Sequence, residues 1–270
     1  MKFKRWLAIT ILVILFLFII YKPDKTELQL DKLVLPECQL RDKLFDTKVT
    51  FYIDDSVDFE YMKNRVKEFI DYSNSVLKNS CIPMVRSSYV VNQVNLNLPR
   101  DAYFDEIHHR LKEKAGKQNI SKLIDDPHEF YVLILPYYMK VFGDGTMGGS
   151  NVELSNSYVL LSDDARLSIL EHEFGHLAWA QHMETFPFPL LAGKLKRSVR
   201  VENRYKLKPY ARAFKCSNAG TVMSYEALRL PIYSSPLVSY RGEVCGDKDV
   251  ADNARVVRDY ALQLIENDSK

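Results

Sequence analysis

The segment FYVLILPYY, residues 130–138, is the strongest constraint on what this chain can fold into. Successive side chains of a strand point to opposite faces, so a nearly continuous apolar run must be covered on both, which calls for a sheet interior with helices above and below. The flanking pattern agrees. KVTFYIDD, from Lys48, reads as a strand, and over residues 59–80 the apolar residues Met62, Val66, Phe69, Ile70, Val76 and Leu77 recur as on one face of a helix. Residues 83–94 are rich in β-branched side chains and read as a strand, 101–114 as a charged helix, and SYVLLS from Ser157 as another strand. This alternation predicts an α/β fold, and 47% hydrophobic content over 270 residues suffices for a sizeable core.

Between the last two strands lies FGDGTMGGSN, which carries four of the ten glycines and reads as a loop or an irregular edge segment. The stretch SDDARLSILEHEFGHLAWA then predicts a helix capped by Ser162, Asp163 or Asp164, with Leu167, Leu170, Phe174 and Leu177 on its core face. Near the C-terminus Val250, Ala254, Val257, Ala261 and Leu264 share one face of a final helix, with Asp247 or Asp249 as the expected cap.

The chain starts with MKFKR and then runs from Trp6 to Ile20 with only Thr10 polar. Cations before an apolar stretch are the pattern of a signal peptide or signal anchor, here residues 1–21. The exit sequence IIYKPDKTELQL lacks an A-x-A-like small-residue pair, which favours an uncleaved transmembrane anchor. Residues 22–45 then form a stalk or linker, and 46–270 a domain held outside the cytoplasm at the membrane; secretion or periplasmic release after cleavage is the alternative. Four cysteines and no C-x-x-C fit two disulfides in an oxidising compartment. The expected pairs are Cys38 with Cys81 and Cys216 with Cys245, each stapling one half of the chain. Thirty-seven basic against thirty-five acidic residues, a formal +2, argue against nucleic acid as a partner.

Chemistry concentrates in HEFGH. His172 and His176, one helical turn apart, put two imidazoles on one face where they can share a metal ion, with zinc (Zn2+) the metal of choice and Glu173 beside it as general base. A third histidine, His182, follows closely, and three protein ligands leave the open position of a catalytic zinc.

HEFGHLAWAQH, residues 172–182, resembles the metzincin zinc-peptidase signature H-E-x-x-H-x-x-G-x-x-H. It departs at the family's glycine, here Trp179. That glycine ends the helix in the left-handed conformation, so the turn must hold Trp179 there or shift to Ala180 or Gln181. NAGTVMSY, residues 218–225, is similar to the metzincin methionine turn, with Met223 at the methionine position and Tyr225 placed as in the astacin and serralysin branches. The resemblance implies an α+β fold with a twisted mixed sheet, an active-site helix and a smaller C-terminal subdomain ending in a helix. It implies zinc on His172, His176 and His182, catalysis by Glu173 and Tyr225, and an edge near the glycine-rich segment that pairs with an extended polypeptide substrate. The activity implied is that of a zinc metalloendopeptidase. Three alternatives stay open: Glu202 as a downstream third ligand, Cys38 capping the zinc, and a membrane-tethered module that binds zinc or peptide without catalysis.

Overall fold

The computed structural model describes residues 27–38, 44–183 and 199–269. Leu33–Val34 forms a short first strand, β1. The central sheet comprises β2 (Phe45–Asp54), β3 (Met84–Val94), β4 (Glu129–Leu135), β5 (Gly148–Ser150) and β6 (Tyr158–Ser162). Their spatial order is β3-β2-β4-β6-β5, parallel throughout except for β5, which runs antiparallel to β6. Helix α1 (Phe59–Asn79) connects β2 to β3, and α2 (Phe104–Ala115) and α3 (Lys117–Asp125) connect β3 to β4. Helix α4 (Ser168–Leu177) follows β6, and α5 (Asn253–Asp268) closes the described chain. The fold is mixed α/β, as expected.

Strand β4 explains the layering. Phe130, Val132 and Ile134 pack with Val66 and Phe69 of α1 and Leu170 and Phe174 of α4. Tyr131, Leu133 and Leu135 point the other way, into a cluster with Ile107, Leu111 and Ile120 of α2 and α3. Residues 130 to 135 are all between 0% and 3% exposed, and full burial of each such side chain contributes roughly 1.5–3 kcal/mol. The strand stops before Pro136, which has no N–H to continue the ladder.

Helix α1 buries the residues its periodicity predicts, and Asp58 caps it by accepting the Tyr61 N–H at 3.0 Å. The helix that carries HEFGH differs from expectation: α4 starts at Ser168, not at the SDD triplet. Ser162 is taken up by β6, and Asp163 instead accepts the Tyr137 N–H at 2.7 Å. At the C-terminus Asp252, not Asp247 or Asp249, caps α5 by accepting the Arg255 N–H at 3.0 Å. Asp247 is occupied by the Asp249 and Val250 N–H groups of the preceding turn, which leaves Val250 exposed. Ala254, Val257 and Ala261 of α5 join Met223, Tyr233, Phe45, Val76 and Leu77 in a second core that ties the C-terminal part to the sheet.

Both expected disulfides form, Cys38–Cys81 and Cys216–Cys245. They point to an oxidising, extracytoplasmic environment. Cys38 is thereby bonded to sulfur. Within the segment 22–45, Leu33–Val34 pair antiparallel with Ser239–Tyr240, so this stretch is joined to the domain at two points. The expected membrane anchor needs correction. Among the described residues no helix is long and apolar enough to cross a membrane. Residues 1–21, on which the signal-anchor and transmembrane reading rests, lie outside the described residues, and attachment through an N-terminal helix is not supported.

Candidate metal centre

Helix α4 is short because its C-terminus is closed by backbone hydrogen bonds. The Ala180 N–H reaches the Gly175 carbonyl at 2.9 Å and the Trp179 N–H reaches the His176 carbonyl at 3.0 Å, the paired bonds of a Schellman ending. Such an ending needs a left-handed residue at its corner, and Trp179 takes that role with φ +71°. For a side chain other than glycine this conformation costs about 1–2 kcal/mol. The indole offsets the strain by burial among Val199, Ala211 and Val256, with the Lys206 ammonium 5.1 Å from the ring centre. Thus the expected turn occurs at Trp179 itself, and the chain reverses to bring His182 back over the helix.

The three imidazoles then converge. His182 Nε2 stands 2.9 Å from His172 Nε2 and 2.8 Å from His176 Nε2, and the potential ligand atoms of all three lie within 4.8 Å of one another. Each opposite nitrogen meets an oxygen. His172 Nδ1 faces the Val222 carbonyl at 2.9 Å, His176 Nδ1 faces the Ala180 carbonyl at 3.0 Å, and His182 Nδ1 faces the Tyr225 hydroxyl. Carbonyls only accept, so the network assigns the Nδ1–H tautomer to His172 and His176, and the same assignment for His182 lets it donate to Tyr225. Three Nε2 lone pairs are then directed at one point, an arrangement that repels itself unless a cation lies between them. Burial foremost pushes His172 down to about 3 and His176 down to about 4. His182 is also pushed down, by burial and then by the neighbouring His176 and His172. Neutral rings with fixed outer hydrogen bonds are the donor set of a metal that takes imidazole nitrogen, and the cluster could hold such an ion.

Glu173 lies against this cluster. Its Oε2 accepts the Ser150 hydroxyl at 2.8 Å, and the same hydroxyl is 3.1 Å from the Glu173 carbonyl. Burial pushes the carboxyl up to about 7, while the Ser150 hydrogen bond and the charge of Arg229 pull the other way. Strand β5 can approach so closely because of Gly148, where a Cβ would stand 2.5 Å from Ile169 and 3.1 Å from the Glu173 side chain. Met223 lies beneath the helix with no exposed surface. Gly175 makes this approach possible, since a Cβ there would fall 2.5 Å from the Met223 sulfur and 3.0 Å from the Tyr233 hydroxyl. Tyr225 is 64% exposed and faces the same cleft, of about 610 Å³, as Glu173 and the three histidines. Glu202, the alternative ligand, is exposed in the turn Val201–Lys206 and is not among the residues that converge.

A buried network behind α4 was not visible in the sequence. Glu171 accepts the Tyr233 hydroxyl at 2.8 Å and the Ser73 hydroxyl, and pairs with Arg86 at 3.5 Å. The Arg86 guanidinium also lies 4.3 Å from the centre of the Phe174 ring. Glu171 adjoins HEFGH, but Ser73, Arg86 and Tyr233 carry no local signal because they arrive from α1, β3 and the C-terminal part.

No protein-family model matches the chain, and none of the curated proteins compared matches it. Among solved structures, one described as "Structure of a chaperone-substrate complex" aligns with a TM-score of 0.58 at 16% identity, over 82% of this chain and 35% of that one. A second, "Crystal Structure of metalloproteinase-II from Bacteroides fragilis", aligns with a TM-score of 0.35 at 12% identity, over 57% of this chain and 49% of that one. The chain thus spans about a third and about half the length of these two chains. The first likeness shows a shared fold. Fold and site together define a mixed α/β protein with a three-histidine cluster suited to a metal.

Proposed function

We propose that this chain is a zinc-dependent endopeptidase of metzincin type, with its catalytic domain over residues 46–270 and extracytoplasmic polypeptides as substrates. The observation that carries this reading is the convergence of three Nε2 atoms, each ring oriented by an oxygen at Nδ1, with the Glu173 carboxyl on the same cleft. When bound, zinc supplies a Lewis acid that polarises the scissile carbonyl and acidifies water. His172, His176 and His182 would hold it. Glu173 takes a proton from the attacking water and passes it to the leaving amine, a role for which its place on the cleft beside the three histidines is suited. Ser150 keeps that carboxyl aimed into the cleft. Because His182 Nδ1–H donates to the Tyr225 oxygen, the phenolic O–H is left to donate to the developing oxyanion.

Strand β5 supports the choice of polypeptide as substrate. Among the described residues it pairs with β6 on one side only, and its other edge can accept an extended peptide by main-chain hydrogen bonds. The test is hydrolysis of a mixed peptide library with zinc, with a chelator, and after zinc is restored, together with the zinc content of His182→Ala and Glu202→Ala. Cleavage should stop on chelation and return with zinc, and only His182→Ala should lose the ion. Unchanged cleavage in chelator would exclude the reading.

A further inference from the structure

The cleft that holds Glu173 is also lined by two arginines, Arg166 and Arg229. They come from different parts of the chain, Arg166 from the turn before α4 and Arg229 from the segment after Tyr225. Arg166 is exposed and donates to the Ala227 carbonyl at 3.2 Å. Arg229 is half-buried, reaches the Ser168 hydroxyl only at 3.5 Å, and keeps a buried Nε–H with no partner. Among the described residues no carboxylate forms an ion pair with either guanidinium, and Glu173 is the only acidic residue lining the cleft. Burial first, and then the charge of Arg166, push the Arg229 pKa down, while Tyr72, Glu173 and Tyr225 pull the other way. Arg229 lines the same cleft as His172, Glu173, His182 and Tyr225.

Two like charges in one cleft are destabilising on their own, and a carboxylate is the ligand that relieves the repulsion while accepting from the guanidinium N–H groups that face the cleft. The chain as a whole is close to neutral, so this is a local feature and not a general anion trap. We propose that Arg166 and Arg229 form a carboxylate-recognition subsite, which makes the cleft selective for peptides with an acidic side chain or a free C-terminal carboxylate next to the bond presented to Glu173. The proposal rests on the peptidase reading for the bond that is cut, but the recognition step can be measured without cleavage.

The probes are labelled decapeptide pools, randomised except for a central Glu, a central Gln or a central Lys, each made with a free and with an amidated C-terminus. Hydrolysis is followed with the zinc-loaded wild type, and equilibrium binding by fluorescence anisotropy with zinc-loaded Glu173→Gln. Carboxylate-bearing pools should be favoured by about 10- to 100-fold, the range of a charge-assisted contact. That preference should fall away in Arg229→Gln, and Arg166→Glu should turn it toward a pool with central Lys. Arg166 is exposed, so its charge reversal tests the idea even if the Arg229 variant fails to fold. A preference that follows the free terminus whatever the central residue assigns the subsite to the main-chain carboxylate, and one that survives amidation assigns it to the side chain. Binding selectivity without hydrolysis would remove the peptidase reading and leave the subsite standing. Equal binding of all pools overturns the subsite, whether or not peptides are cut.

Discussion

Glu171 and Glu173 leave helix α4 in different directions and meet different surroundings, although both are buried, at 0% and 6% exposure. Glu171 turns into the core, where two hydroxyls and the Arg86 guanidinium surround it. Glu173 turns to the cleft, where Ser150 donates a single hydroxyl and, among the described residues, no cation comes within ion-pair distance. The contrast shows how one short helix separates support from chemistry. Glu171, met by several donors, ties α4 to the core, whereas burial pushes Glu173, with its single hydroxyl donor, up to about 7.

The largest expected effect breaks the reactive member of this pair. Glu173→Gln should lower peptide hydrolysis by about 10²- to 10⁴-fold, the usual share of a general base, with zinc content and melting temperature unchanged. Peptide turnover and metal analysis on the same sample check this.

Removing the supporting member should act on stability instead. Glu171→Gln leaves Arg86 buried without a counter-charge, at a cost of about 3–5 kcal/mol by denaturant titration. The double variant Arg86→Met with Glu171→Leu should recover most of that loss, because replacing both charges with apolar groups removes the unpaired ion. A double variant as unstable as the single one would mean that the hydroxyls of Ser73 and Tyr233, not the ion pair, dominate.

Trp179→Gly tests the turn that returns His182 to the pair on α4. It relieves about 1–2 kcal/mol of left-handed strain but removes an indole whose loss from a packed site costs about 3–5 kcal/mol. The net expectation is a destabilisation of about 2 kcal/mol in urea. Zinc binding should persist, since the closing hydrogen bonds are made by backbone.

His108 offers a test that appears only on acidification and a control for the site histidines. It is buried against Tyr131 and Tyr158, with its Nε2 2.7 Å from the Tyr131 hydroxyl. Burial first, and then the charges of Lys112 and His109, push it down to about 4. Its unfolded-state value is about 6.5, so between these values the unfolded chain binds the extra proton. Stability from this group is therefore complete above about pH 6.5 and declines on acidification toward pH 4. Melting temperature against pH should show this limb, and His108→Phe should flatten it.

Much of this arrangement was legible as periodicity. The α1 stripe from Met62 to Leu77 and the two-faced apolar run of β4 came through because each depends on neighbours along the chain. The start of α4 was less legible. Ser162, Asp163 and Asp164 have the composition of a helix cap, but β6 claims Ser162 and the Tyr137 backbone claims Asp163. Gly175 and Gly148 stand in the sequence without any sign that Met223 and Glu173 approach them. The membrane anchor was inferred from residues 1–21, outside the described residues, and no described helix supplies a span.

The sequence by itself determined most of the elements and the spacing that places His172 and His176 on one helical face, because 3.6-residue periodicity is a local property, whereas the pairing of the four cysteines was settled by the fold. Only the tertiary structure decided which turn brings His182 to them, which oxygen orients each ring, and which of two neighbouring glutamates faces the core. Those outcomes depend on residues such as Val199, Arg86, Ser150 and Tyr225 that are remote along the chain and are brought to α4 by packing alone.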